Sequence, residues 1–294
     1  MKMNRIFLLV TTALLSTHVS AKDVPASINS EVTQQAVADQ VLAEQRQQLA
    51  KNTDSQGFGP QSPRDIRVTT GENAIAFNAA PPASAMNLCN IHFHKNAEHA
   101  GGEFTTYVGN GDGQGYQGGY QYSGQLTAAE LAPLEQRVCP SEQSSLAPGD
   151  TIEVHYVYSS ANITPGPTLG ACFNDAIKNP QLRVQAQVYV LVNDAKALDF
   201  GELNQHGEKN GLQQALNLPD NTGTAVEYAG STTGPSFNEA GSPFQVSWSV
   251  KPKVAKVNIA SVGQWCKSNV FEEDHAHGVR NLVTNPALLS TISQ

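Results

Sequence analysis

The sequence predicts a mainly β protein, a single domain carrying an N-terminal helical extension. Three observations support this. From about Gly57 onward the chain is a succession of short β-type runs punctuated by glycine and proline: AIAFNA, LCNIHFH, FTTYVG, TIEVHYVYSS, LRVQAQVYVLV, FQVSWSV and KVAKVNI. Long helical patterns and internal repeats are absent from that stretch, leaving short helical pieces near TAAELAPLEQRV and ASVGQWCKS. Residues 27–51 differ in texture. They are rich in Ala, Gln and Glu, and Val32, Val37, Val41, Leu42 and Leu49 recur at helical spacing.

In chain order, Lys2 and Arg5 precede the apolar run IFLLVTTALL, and VSA ends at Ala21. This is the pattern of a secretory signal peptide over residues 1–21, cleaved after Ala21, and it is too short for a membrane anchor. No other apolar run approaches the roughly 20 residues that span a bilayer, so no transmembrane anchor is expected. Removing residues 1–21 takes two of 18 basic residues and none of 26 acidic ones, leaving 16 − 26 = −10 formal charges. That balance disfavours nucleic acid and anionic membrane surfaces as partners. A periplasmic or secreted protein is expected, with residues 22–56 as the helical extension and 57–294 as the main domain.

Export gives the four cysteines a meaning. Cys89, Cys139, Cys172 and Cys266 are too far apart for a zinc ribbon or a CxxC pair, and in an oxidising compartment an even count reads as disulfides. Three connectivities exist, of which Cys89–Cys172 with Cys139–Cys266 is favoured. The segment GNGDGQGYQGGYQYSG has no lysine for a phosphate loop and too few acidic positions for a calcium loop, so it reads as a surface excursion.

The stretch Asn90–Phe104, NIHFHKNAEHAGGEF, holds three of the eight histidines and two glutamates. On a strand, residues two apart share a face, so His92 and His94 project together while Ile91 and Phe93 face apolar packing. Two imidazoles can begin a zinc site, but a third protein ligand is needed if one position is to stay open for water. In TIEVHYVYSS, Glu153 and His155 also share a face, and Glu153 is placed to accept the second N–H of a ligating histidine. Asn90, on the face of His92, offers a carbonyl oxygen for the same purpose. A neutral set of His92, His94 and His155 leaves the charge of the metal free to act on bound water. The rivals are His99, where the chain leaves the strand, and His275 and His277 in EDHAH, which read as structural or surface histidines.

These residues stand within a wider pattern that resembles the delta-class carbonic anhydrases and shares landmarks with the alpha class. In order, the landmarks are QSPRDI, AFN, IHFH, AEH, EVHYV, LRVQAQVYVLV, YAGSTTGP, FQVSWSV and the arginine of GVRN. The resemblance implies a large twisted, mostly antiparallel sheet with short peripheral helices, and a metal at the base of a cone-shaped cavity. It implies zinc-dependent, reversible hydration of carbon dioxide to bicarbonate and a proton by a metal-bound hydroxide. The ligands would be His92, His94 and His155, with cobalt or cadmium as other divalent metals such a site accepts. Glu153 becomes a partner of a ligating histidine, Thr232 the gatekeeping threonine and Glu98 the acceptor of its hydroxyl proton. His99 becomes structural, and Val157, Val184, Val246 and Trp248 form the apolar wall for carbon dioxide. The chain departs from the alpha-class pattern at Ile75, where a proton-shuttling histidine is common. It also departs just before the threonine pair, which leaves Thr233 as the alternative to Thr232. The N-terminal helix and the glycine-rich loop lie outside the resemblance. The alternatives are a non-catalytic binding protein of this fold and a periplasmic metal-binding protein using His275 and His277.

Overall fold

A computed structural model describes residues 35–75 and 77–293. The expected signal peptide, and residues 27–34 of the expected helix, lie outside the described residues. The main sheet has six strands: β1 (Asn87–Lys95), β4 (Thr151–Ser159), β5 (Leu182–Val192), β9 (Gln245–Val250) and β8 (Val226–Ser231) in that order, with β10 (Ala255–Asn258) also on β5. Pairings β1–β4, β4–β5 and β8–β9 are antiparallel, whereas β5–β9 and β5–β10 are parallel. The sheet is therefore mixed. Strand β5 makes this arrangement feasible, because its first half pairs with β9 and its second half, Tyr189–Val192, pairs with β10 along the same edge.

Side-chain alternation divides the core between the two faces of the sheet. Ile91, Phe93, Val154, Tyr156, Tyr189 and Leu191 pack with α2 (Phe200–Leu203) and α3 (Ile259–Trp265) through Phe200, Val262 and Trp265. Val157, Val184, Ala186, Val188, Val246 and Trp248 build the other layer. It is on this second face that His92, His94 and His155 project. Two hairpins lie outside the sheet: β2 (Thr106–Asn110) with β3 (Gly118–Gln121), and β6 (His206–Lys209) with β7 (Leu212–Ala215). The second closes through Asn210 and Gly211, both at positive φ as a tight hairpin turn demands.

Two expected elements do not form. AIAFNA is irregular over its described residues, because neighbouring side chains use its backbone groups. Ile75 N–H donates to Asn73 Oδ1, and Gln181 Nε2 donates to the carbonyls of Asn78 and Ala79. TAAELAPLEQRV starts as a capping box, with Glu130 N–H on Thr127 Oγ1 and Thr127 N–H on Glu130 Oε2. Pro133, which lacks a backbone donor, stops it short of a helix. The N-terminal helix, α1, spans Asp39–Thr53 and buries Leu42 and Leu49, the latter against Val283, Leu288 and Leu289.

Disulfides join Cys89 to Cys172 and Cys139 to Cys266, across 83 and 127 residues. The second ties α3 to the stretch before β4. Bridges over long loops restrict the unfolded chain, so Cys139→Ser/Cys266→Ser is expected to cost about 2–4 kcal/mol. Urea denaturation checks this, and an unchanged midpoint would contradict it.

Candidate metal centre

The register of β1 against β4 sets His92 directly opposite His155, and His94 opposite Glu153. Asn90 stands two residues before His92 on the same face. Each ring commits one nitrogen to an oxygen acceptor. His92 Nδ1 lies 2.7 Å from Asn90 Oδ1, His94 Nδ1 lies 2.9 Å from the Gly278 carbonyl, and His155 Nε2 lies 2.9 Å from Glu153 Oε1. Those acceptors place the N–H on the committed nitrogen of each ring. The lone pairs left over are on Nε2 of His92, Nε2 of His94 and Nδ1 of His155.

These three nitrogens converge within 4.8 Å of one another. His92 Nε2 and His155 Nδ1 are 3.2 Å apart, and His94 Nε2 is buried with no hydrogen-bond partner among the described residues. Bare lone pairs at that separation repel, and a cation between them relieves the repulsion. Tetrahedral zinc with Zn–N of about 2.0–2.1 Å sets its ligand nitrogens about 3.3 Å apart. The donor set fits such an ion. A second group, His99 with Glu153 and His155, fits less well. Both ring nitrogens of His99 are already committed, Nδ1 to Glu153 Oε1 at 2.6 Å and Nε2 to the Tyr228 hydroxyl at 2.7 Å.

Electrostatics favours the same state. Burial, reinforced by neighbouring histidines, holds His92 well below its ordinary value, and burial takes His94 down to about 4. Burial opposes ionisation of Glu153, but His99 and the hydrogen bonds from His155 and His99 outweigh it and hold the carboxyl well below its usual range. Neutral imidazoles beside an ionised carboxylate are what a metal requires. Between pH 6.5 and about 4 the unfolded chain binds a proton at His94 that the native state does not, so native stability rises with pH across that window. Metal-free protein is expected to lose about 2 kcal/mol more than a His94→Asn variant between pH 7 and about pH 5. Denaturation at the two pH values measures this, and equal losses would contradict it. Glu153→Gln, which removes the charge behind His155, is expected to weaken zinc binding about 10- to 100-fold in a chelator competition assay. Unchanged affinity would argue against this role.

The rings open onto a cavity of about 280 Å³. Val157, Val184, Val246 and Trp248 all line it, as do Thr232 and Thr233. The expected Thr232–Glu98 hydrogen bond is not formed. Thr232 Oγ1 lies 2.6 Å from Ser242 Oγ, while Glu98 Oε1 accepts from Arg280 N–H at 2.6 Å. The cause is local. Beyond the end of β8, Thr232 N–H continues the ladder to the Phe244 carbonyl, which aims the hydroxyl at the Ser242 side of that connection. The second oxygen of Glu98 is buried, has no hydrogen-bond partner among the described residues and lies 3.7 Å from His94 Nε2.

The sequence reading missed several residues here. His277 is a cavity residue and not a remote surface group. Its backbone bridges to β1 by donating to the Phe93 carbonyl and accepting from Lys95 N–H, and its ring centroid lies 5.7 Å from that of His92. Glu273 Oε2, 2.8 Å from His277 Nε2, raises the pKa of this histidine against the effect of burial. The four-residue spacing of Glu273 and His277 was the signal available. His275 instead pairs with Asp274. The glycine-rich segment is more than a surface excursion, since it brings Tyr116 into the cavity lining. Ile75 is half-exposed and does not line the cavity.

A family model described as delta carbonic anhydrase matches residues 83–261. Among solved structures, the chain is similar to a complex of alpha-carbonic anhydrase from Thermovibrio ammonificans with the inhibitor sulfanilamide. The identity is 16% over 76% of this chain and 84% of that one, with a TM-score of 0.27. It is also similar to an alpha-carbonic anhydrase of Photobacterium profundum, at 15% identity over 84% of this chain and 95% of the other, with a TM-score of 0.26. A hyperthermostable carbonic anhydrase from an active hydrothermal vent chimney matches at 15% identity over 76% of this chain and 85% of its own, with a TM-score of 0.26. Comparison with curated proteins gave no match.

Proposed function

The chain belongs to the delta carbonic anhydrase family, and from that premise we propose that it is a zinc enzyme hydrating carbon dioxide reversibly to bicarbonate and a proton. The observation that carries this is the convergence of three uncommitted imidazole nitrogens at an apolar cavity. His92, His94 and His155 would hold the ion. Zinc bound there would supply Lewis acidity and a water acidified to a pKa of about 7, as is established for carbonic anhydrases generally.

The chain's own residues do the rest. Asn90, the Gly278 carbonyl and Glu153 each take one ring N–H and so aim the opposite lone pair into the site. The wall of Val157, Val184, Val246 and Trp248 receives an uncharged, apolar molecule and offers ions no partner. Where the Thr232 hydroxyl donates to Ser242, its oxygen presents only lone pairs to the cavity. It then accepts a hydrogen bond from a protonated oxygen and disfavours anions that carry no proton. Export to the periplasm or beyond is supported by the two disulfides, which persist in oxidising compartments. Zinc analysis combined with stopped-flow carbon dioxide hydration tests the reading. One equivalent of zinc without hydration would replace it with a binding role.

A further inference from the structure

We propose that α1 is a positioning element of the metal centre and that Gln45 is the residue through which it acts, an inference that rests on the metal-centre reading above. Leu42, Gln45 and Leu49 lie at i, i+3 and i+7, on one face of the helix, and both leucines are buried. A glutamine in that stripe contributes little to apolar packing, yet both ends of its amide are in use. Gln45 Nε2 donates to the Gly113 carbonyl at 2.8 Å, and Gln45 Oε1 accepts from Asn281 Nδ2 at 2.6 Å. One side chain thus ties the glycine-rich loop to the C-terminal segment.

The residue before the helix cap reinforces the grip. Val37 N–H donates to the Gly111 carbonyl and Val37 O accepts from Asn110 Nδ2, each at 2.9 Å. The loop then reaches the metal centre in two steps. The Gly115 carbonyl accepts from Val279 N–H at 2.7 Å, and the adjacent Gly278 carbonyl accepts from His94 Nδ1–H at 2.9 Å. There is little slack between loop and segment. A Cβ on Gly115 would stand 2.9 Å from the Val279 carbonyl, and one on Gly278 would stand 3.0 Å from the Gly115 carbonyl. The path runs from Gln45 through residues 113–115 to Gly278, and it ends on the acceptor that fixes the orientation of His94.

The test measures zinc affinity of the full-length, metal-free chain by competition with a chromophoric chelator. Removing a direct partner of a ligating histidine costs about 10- to 100-fold, so Gln45→Ala, further out, is expected to raise the zinc dissociation constant about three- to tenfold. Asn52→Ala is the control. It breaks another contact of the same helix, Asn52 Nδ2 to the Glu239 carbonyl at 2.8 Å, and leaves the contacts with residues 110–115 in place. This variant is expected to stay within about twofold of wild-type affinity, as an uncoupled distant position should, with a denaturation midpoint matching that of Gln45→Ala. Wild-type affinity in Gln45→Ala, or an equal loss in Asn52→Ala, would overturn the inference while leaving the metal centre standing. A wild-type chain that binds no zinc would overturn both.

Discussion

His155→Ala is expected to strip zinc from the protein and abolish carbon dioxide hydration. Structural zinc sites of finger peptides bind with apparent energies of about 10–16 kcal/mol from four ligands, and on that scale one ligand carries about 3 kcal/mol, or about a hundredfold in affinity. The variant also leaves Glu153 with one imidazole donor instead of two. His99→Ala is the informative comparison, because His99 shares the same carboxylate but has no uncommitted ring nitrogen. It is expected to destabilise the fold while keeping zinc. Metal analysis after dialysis, paired with stopped-flow hydration, separates the two variants. Unchanged hydration in His155→Ala would defeat the ligand assignment.

Val184→Phe is expected to give the second large effect, by a different route. Val184 sits on β5 between Val157 of β4 and Trp248 of β9, and all three line the cavity. A phenyl ring there occupies space that carbon dioxide needs, and displacement of a substrate by about 1 Å costs on the order of a hundredfold in rate. The expected result is a loss of about that size in kcat/KM with zinc still bound at one equivalent. Overpacking adds about 1–3 kcal/mol of destabilisation, which denaturation reads separately. Val184→Ala enlarges the cavity and is expected to keep most of the hydration activity. A Val184→Phe enzyme as fast as wild type would remove the apolar wall from the mechanism.

How far the sequence foretold the site follows from the period of a strand. His92 and His94 are legible as a pair because residues two apart share a face, and the same rule joins Glu153 to His155. Their meeting depends on register, which the resemblance supplied and which the pairing of His92 with His155 displays. The parts that were not legible come from connections with no period. The acceptor for His94 is a backbone carbonyl at Gly278, 184 residues away, and any residue type provides a carbonyl. His277 reaches the cavity through an isolated bridge to His94 outside the named strands, where alternation gives no guide. Thr232 lines the cavity but does not meet Glu98, because the turn after β8 decides where the hydroxyl points. Glycine content made residues 109–124 look like a loop, while β3 pairs locally with β2 and Tyr116 joins the cavity lining beside residues distant in the sequence.

The most direct test of the metal centre is anomalous diffraction at the zinc edge from crystals of the zinc-loaded protein. The expected result is one peak bonded to Nε2 of His92, Nε2 of His94 and Nδ1 of His155 at about 2.0–2.1 Å. A peak between His277 and Glu273, or at His99 and Glu153 with those three nitrogens unbound, would contradict it.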